Sequence, residues 1–261
     1  MSDHPRAFPS KTTLYAEWTK LRTLPVTGRL LLASIALTVL TGAAASALVT
    51  CGTEACGHDP AEISLFGVQA GQSLVAVLAV LAISGEYGTG MIRLTLTAMP
   101  RRTGVLAAKA AVLTGLTLGA ASVAVLGSVL ATRPILLRNG FPPDPLTSGS
   151  MLRAATGSVL YLTLIALLSL GVATAVRDSA TAIATVLGLL YTFPVLILLV
   201  SDDEWQRMLW RLSPMNAGLA VQSTTGLAAL PLSPWQGLGV LSAWALAALL
   251  AGGLLLRKRD A

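Results

Sequence analysis

Charge is scarce in this chain. Asp, Glu, Lys and Arg make up 11% of its 261 residues, against 54% hydrophobic residues. Histidine and cysteine occur twice each, as His4, His58, Cys51 and Cys56. These shortages close off whole classes of chemistry. A metalloprotease needs clustered His and carboxylate ligands. A serine hydrolase needs a histidine beside its nucleophile, and both histidines fall in polar segments outside the apolar runs. No Gly-x-x-x-x-Gly-Lys-Ser/Thr phosphate loop occurs, so this chain cannot hydrolyse ATP by that route. Proton- and ion-coupled carriers place ionisable groups near the bilayer centre. No apolar run here has one at its centre. The chain is therefore expected to be no enzyme on its own, with no catalytic residue, metal or cofactor site.

What is present is long and apolar. Six runs cover about 28–49, 64–84, 104–131, 153–176, 179–200 and 235–256. Each is near or above the ~20 residues that a helix needs to cross a hydrocarbon core. They are apolar all round rather than on one stripe, which suits lipid as solvent. The fold class is all-α: a polytopic membrane protein of six transmembrane helices, forming one domain over residues 1–261. The stretches between runs are too short for a separate soluble domain of ~50 residues. The first run is too long for the ~7–15-residue core of a cleavable signal peptide.

The basic residues are sorted. With six spans, Arg6, Lys11, Lys20, Arg22, Arg29, Arg93, Arg101, Arg102, Lys109, Arg177, Arg257, Lys258 and Arg259 share one side. Arg133, Arg138, Arg153, Arg207 and Arg211 lie on the other, with most of the acids. The positive-inside rule then puts both termini in the cytoplasm of a cell membrane. The net charge of +6 is topogenic. No basic patch with interleaved aromatics marks a nucleic-acid partner.

Several local patterns carry expectations. Residues 10–24 read as a helix capped by Ser10 and stopped before Pro25. Leu14, Trp18 and Leu21 fall on one face, with Lys11, Glu17, Lys20 and Arg22 elsewhere, as in a helix lying on a membrane surface. Such a helix is either a plain anchor or a dock for a partner. Cys51 and Cys56 share the first outer loop, where a disulfide can form. With His58 they fall short of the four ligands of a structural zinc. Residues 89–98 read as a short helix broken at Pro100. Lys109, one turn inside the third run, is expected to snorkel to the interface. Gly115 and Gly119, extended by Ala120, Ala124 and Gly127, predict close helix packing. Pro194 should kink the fifth span. In 201–234, Trp205, Met208, Leu209 and Leu212 share a helical face, and 217–230 is expected to dip into the outer leaflet as short helices.

Two stretches are similar to a known family. Glu17-Trp18-Thr19-Lys20-Leu21-Arg22-Thr23 resembles the N-terminal helix of ABC-2 type transporter permeases, particularly actinobacterial ones. Glu86-Tyr87-Gly88-Thr89-Gly90-Met91-Ile92-Arg93, followed by Pro100-Arg101-Arg102 and Lys109, resembles the loop between spans two and three of the same family. This chain carries Gly88-Thr89-Gly90 where many relatives have a single Gly-Thr. The resemblance implies the fold of ABC-2 (type V exporter-like) transmembrane subunits. It implies a pathway built with a second permease copy, identical or different, in the lipid bilayer. ATP and Mg would sit on a separate ABC ATP-binding protein. Glu86, Thr89, Gly90, Met91, Ile92, Arg93, Pro100, Arg101 and Arg102 would couple to that subunit. Leu14, Glu17, Trp18, Lys20, Leu21 and Arg22 would form the interface helix. Glu86 would pair with Arg93, or with Lys20 or Arg22. The direction implied is export. The Leu-, Ala- and Val-rich spans favour a lipophilic, drug-like or peptide cargo. Two other readings fit the layout: a membrane scaffold or regulator without transport, and a stand-alone carrier.

Overall fold

The computed structural model describes residues 11–51, 57–88, 102–141 and 148–258. Ten α-helices are described: α1 Lys11–Thr23, α2 Pro25–Leu48, α3 Pro60–Leu65, α4 Val68–Gly88, α5 Arg102–Arg138, α6 Gly149–Val176, α7 Ser179–Leu199, α8 Asp203–Leu212, α9 Pro214–Leu219 and α10 Pro234–Lys258. Two short 3-10 turns lie between α9 and α10. No strand occurs among the described residues. Six units are long and apolar enough to cross a membrane: α2, α3 with α4, α5, α6, α7 and α10. The chain is a multi-pass helical membrane protein. The 89–98 helix and the Ser10 cap expected from sequence lie outside the described residues.

Span burial is uneven, and the unevenness defines the centre. In α3–α4 and in α6, 61% of the most apolar window is buried, against 17–33% in the other four. α6 packs on α4, α5, α7 and α10. The outer spans invert the usual sorting of a soluble protein. On α2 the buried line is Ser34, Thr38, Gly42 and Ser46, four residues apart, while Leu32, Leu40 and Leu48 face outward. Lipid provides no hydrophobic drive to bury leucine, so small residues take the helix contacts instead. Thr38 and Ser46 donate to the carbonyls of Ser34 and Gly42 at 2.8 and 2.9 Å, so the seam holds no orphan hydroxyl there.

Two glycines show how close these contacts are. Gly67 sits at the turn between α3 and α4, where a Cβ would run into the Thr38 carbonyl of α2. Gly171 on α6 faces α10, where a Cβ would fall 2.5 Å from the Ala248 carbonyl carbon and the Leu249 nitrogen. The sequence placed its close-packing face elsewhere, and there the structure corrects it. Nothing lies within 4 Å of where a Cβ would stand on Gly115 or Gly119. Those two face outward on α5. The far part of the expected face does pack: Ala124 is buried, and a Cβ on Gly127 would stand 3.1 Å from Val39 of α2. The buried line of that helix runs through Thr117, Ala121, Ala124 and Ser128, because α2 and α6 approach from that side.

α5 is longer than expected. Its 37 residues span about 55 Å at ~1.5 Å per residue, more than a hydrocarbon core requires. Its end is fixed by a Schellman-type stop: Gly140 takes φ +87°, and the Phe141 amide donates to the Leu136 carbonyl at 3.0 Å. The Asn139 side chain donates to Ser46 and Val49 carbonyls at 2.8 and 3.0 Å, closing the end of α2. Pro194 lies inside α7 without ending it.

Both ends of the described chain share one face of the bundle. Gly253 of α10 lies against Leu106 of α5, and α1 packs near the same end of α5. This is the terminal face; the opposite one is the far face. Gly171→Val should split the α6–α10 seam. Overpacking of this kind costs roughly 1–3 kcal/mol. The expected outcome is a lower melting temperature in detergent, while Gly115→Val, on the open face, should leave it unchanged.

Candidate functional site

The interface helix owes its position to Pro25. The residue before a proline is driven toward extended geometry, and Leu24 takes φ −76°, ψ 115°. One residue therefore separates α1 from α2, and the chain turns sharply there. α1 then packs against the start of α5. Its inward line is Thr13, Glu17 and Leu21, spaced by four, with Leu14 partly covered. This corrects the expected apolar face. Trp18 points outward and is 42% exposed, whereas Glu17 is 0% exposed. α1 presents a carboxylate to the protein and a tryptophan away from it.

The reason is Lys109. It too departs from expectation, because it does not snorkel: it is 1% exposed. Its ammonium donates to Glu17 Oε2 at 2.6 Å, to Glu86 Oε1 at 2.9 Å and to the Ala82 carbonyl at 3.0 Å. All three Lys109 protons are thereby used. Lys20, half-buried on α1, closes the ring, reaching Glu17 Oε1 at 3.2 Å and Glu86 Oε1 at 3.1 Å. Two carboxylates and two ammonium groups thus form a neutral cluster joining α1, the end of α4 and the start of α5. Burial works to lower the pKa of Lys20. The Glu17 and Glu86 carboxylates outweigh it and hold the group above its ordinary 10.5. Below the cluster, Leu21 packs with Ala82 and Val112, with Leu14 and Leu116 at the edge.

The sequence-predicted residues thus divide. Glu17, Lys20 and Glu86 are brought together, and the Glu86–Lys20 pair is among the alternatives expected. Leu14 and Leu21 pack beneath them. Trp18 and Arg22 stand exposed. Arg102 opens α5. Thr89, Gly90, Met91, Ile92, Arg93, Pro100 and Arg101 lie outside the described residues. So does Cys56; Cys51 is disulfide-bonded, in keeping with the expected outer-loop disulfide.

A second polar knot closes the far face. Asp59 caps α3 through the Ala61 amide at 2.9 Å. The same carboxylate accepts the Thr224 hydroxyl at 2.7 Å, the Thr225 amide at 2.9 Å and the Thr224 amide. Beside it, Glu62 accepts from the Ser223 hydroxyl, and Arg153 of α6 donates to the Ser223 carbonyl at 2.6 Å. The loop before the last span is thereby pinned across three elements. α9 and the turn after it are buried among α6, α7 and α10, as short helices of the kind expected there. Between the two faces lies one further polar contact set. Tyr161 of α6 donates to Gln72 of α4, and Gln72 Nε2 donates to Tyr191 of α7 at 3.2 Å. Residue-level reading passed over Gln72 and Tyr161. Their signal was an amide, one of the pair Gln69 and Gln72, and a lone phenol inside otherwise apolar runs.

No family model matches the chain, and no curated protein matches it.

Lys109→Met should leave two buried carboxylates sharing only Lys20. Breaking a buried pair from one side costs about 3–5 kcal/mol. Detergent thermal stability should fall accordingly, and Glu17→Gln in the same chain should recover part of it. Asp59 gives a prediction in pH. Burial would raise its carboxyl, but the donors from Thr224, Thr225 and Ala61 hold it below its ordinary 3.8. A depressed carboxylate contributes stability above its unfolded pKa and loses it as pH falls through the folded value. The far-face loop should therefore stay closed at neutral pH and loosen only in acid below about pH 4. Asp59→Asn should open it at pH 7, raising amide exchange at Thr224 and Thr225 by on the order of tenfold or more.

Proposed function

We propose that this chain is the transmembrane permease subunit of an ABC-2 type exporter, with ATP hydrolysis in separate ATP-binding subunits docked at the terminal face. The observation that carries the reading is the neutral Glu17–Lys20–Glu86–Lys109 cluster. It ties together α1 and the two helix ends from which the 89–101 segment leaves and returns. A force applied to that segment would reach α1, α4 and α5 as one unit. A coupling element needs this property, since closure of paired ATP-binding subunits moves packed elements as rigid bodies. The sequence motifs resembling ABC-2 permeases fall on the same two places, α1 and the α4–α5 connection. The sorting of basic residues makes the terminal face cytoplasmic in a cell membrane.

In this reading the chain binds no ATP or Mg itself, and it is not an enzyme alone. A second permease copy, identical or different, completes the pathway. Its walls would carry mostly Leu, Ala and Val with scattered hydroxyls, matching a lipophilic, drug-like or peptide cargo moved outward.

Purification of the full chain from its native host in mild detergent should bring down a phosphate-loop ATPase that lacks membrane spans. Glu86→Lys should leave six inserted spans but abolish cargo-stimulated ATPase of the complex. An isolated chain that transports cargo or splits nucleotide would overturn the proposal, as would a Glu86→Lys complex with normal coupling. Recovery without any ATPase would favour a scaffold role.

A further inference from the structure

α8 is sorted three ways around its axis, and only one of the three faces meets protein. Gln206, Leu209 and Trp210 are the partly covered face. Gln206 donates to the Ile197 and Val200 carbonyls at the end of α7, at 3.2 and 2.8 Å. At the other end, Trp244 of α10 donates to the Leu212 carbonyl at 3.0 Å. The helix is thus held at both ends. Its second face is Trp205, Met208 and Leu212, at helical spacing, with Trp205 60% exposed. That apolar face is continuous with the exposed leucines Leu198 and Leu199 that end α7. The third face carries Glu204, Arg207 and Arg211. With Met208 and Leu212 these residues line a groove of about 460 Å³ at the border of the two exposed faces.

A water-facing helix has no use for a tryptophan, a methionine and a leucine in one exposed stripe. A helix at a membrane interface does, with arginines at headgroup depth. The charges narrow the lipid. Among the described residues neither arginine forms an ion pair. Arg207 Nε donates to the Asp203 carbonyl at 3.1 Å and Arg211 Nε to the Pro231 carbonyl at 3.2 Å, which fixes each side chain while using one nitrogen. Asp202 is spent as the cap of α8, accepting from the Glu204 and Trp205 amides at 2.9 and 3.0 Å. With Asp202, Asp203 and Glu204 beside two arginines, the local charge does not favour a purely anionic headgroup. One carboxylate next to two guanidiniums complements a zwitterion.

We propose that α8 is a lipid-binding helix of the far leaflet, and that its groove takes the headgroup of an aminophospholipid. The phosphate lies on Arg207 and Arg211, the primary ammonium on Glu204, and Trp205, Met208 and Leu212 rest among the acyl chains. Guanidinium groups match phosphate oxygens in geometry as well as charge. The proposal depends on the membrane-spanning fold and is independent of any ATP-binding partner.

The test uses the full chain in bilayers of equimolar phosphatidylethanolamine, phosphatidylcholine and phosphatidylglycerol, with retained lipid read by native mass spectrometry. Phosphatidylethanolamine should be retained over each competitor by on the order of tenfold, the equivalent of one charged hydrogen bond. R207Q/R211Q should abolish that retention, and E204Q should make phosphatidylethanolamine and phosphatidylcholine equal. Equal retention of all three lipids by the unaltered chain, or preference for phosphatidylglycerol, overturns the headgroup assignment. Depth is read separately, as the emission of the unaltered chain minus that of W205F. This difference should be quenched by brominated acyl chains and not by aqueous iodide. The reverse pattern places α8 in water and overturns the proposal altogether.

Discussion

A lysine ammonium buried at 1% exposure is the constraint on which the terminal face depends. An isolated charge in such a place would cost several kcal/mol. Glu17 and Glu86 reach the Lys109 ammonium from two different helices and offset that cost. The dependence runs in both directions. Glu17 has no reason to turn inward without Lys109, and without Glu17 the inward line of α1 would be one threonine and one leucine. Lys20 then balances the second carboxylate. Among the described residues the four charges sum to zero, which offsets part of the desolvation cost.

Elsewhere the bundle follows the rules of lipid. Its seams are hydroxyls and glycines, and its leucines point outward. Hydroxyls on α2 are satisfied by their own helix, so they contribute close approach rather than interhelical bonds. Polar links do cross between helices: the Gln72–Tyr161–Tyr191 set joins α4, α6 and α7, and Ser128 of α5 donates to the Ser64 carbonyl of α3 at 2.6 Å. The two innermost spans are the ones that meet at Gln72 and Tyr161, so the most buried helices carry this amide–phenol link.

Much of this was legible in the sequence. Six spans followed from run length and the absence of charge, both intrinsic to crossing a bilayer. Short helices within 217–230 were legible from an apolar but Gly- and Ser-rich composition, though the first begins at Pro214 and 225–229 is exposed. The face of α1 was not. Helical-wheel reasoning counts apolar residues, and Glu17 counts against burial unless its partner is known. That partner is 92 residues away in the chain. The same reason hid Asp59, whose donors Thr224 and Thr225 arrive from a loop 165 and 166 residues away. Gly115 and Gly119 misled in the opposite direction. Small residues permit close packing, but only tertiary placement decides whether a helix comes to use the space.

The two polar knots differ in kind, and the difference bears on how the bundle can move. The far-face knot is hydrogen-bonded around the Asp59 and Glu62 carboxylates and joins a loop to helix ends. The terminal-face knot is ionic and joins three helices directly. Opening the second would expose unpaired buried charges, at a cost of several kcal/mol; opening the first would return a carboxylate and several amides to nearby water, at about 1–3 kcal/mol per bond to a charged group. On the terminal face the economical motion keeps the cluster intact and swings α1, α4 and α5 as one body. α6 packs on both α4 and α5, so it must either follow that swing or slide along its seam with α10. At Gly171 that seam is close-packed backbone against backbone, with no side chain to reposition. A tight contact of that kind favours α6 and α10 moving together, and leaves α7, the least buried span, the freest to shift.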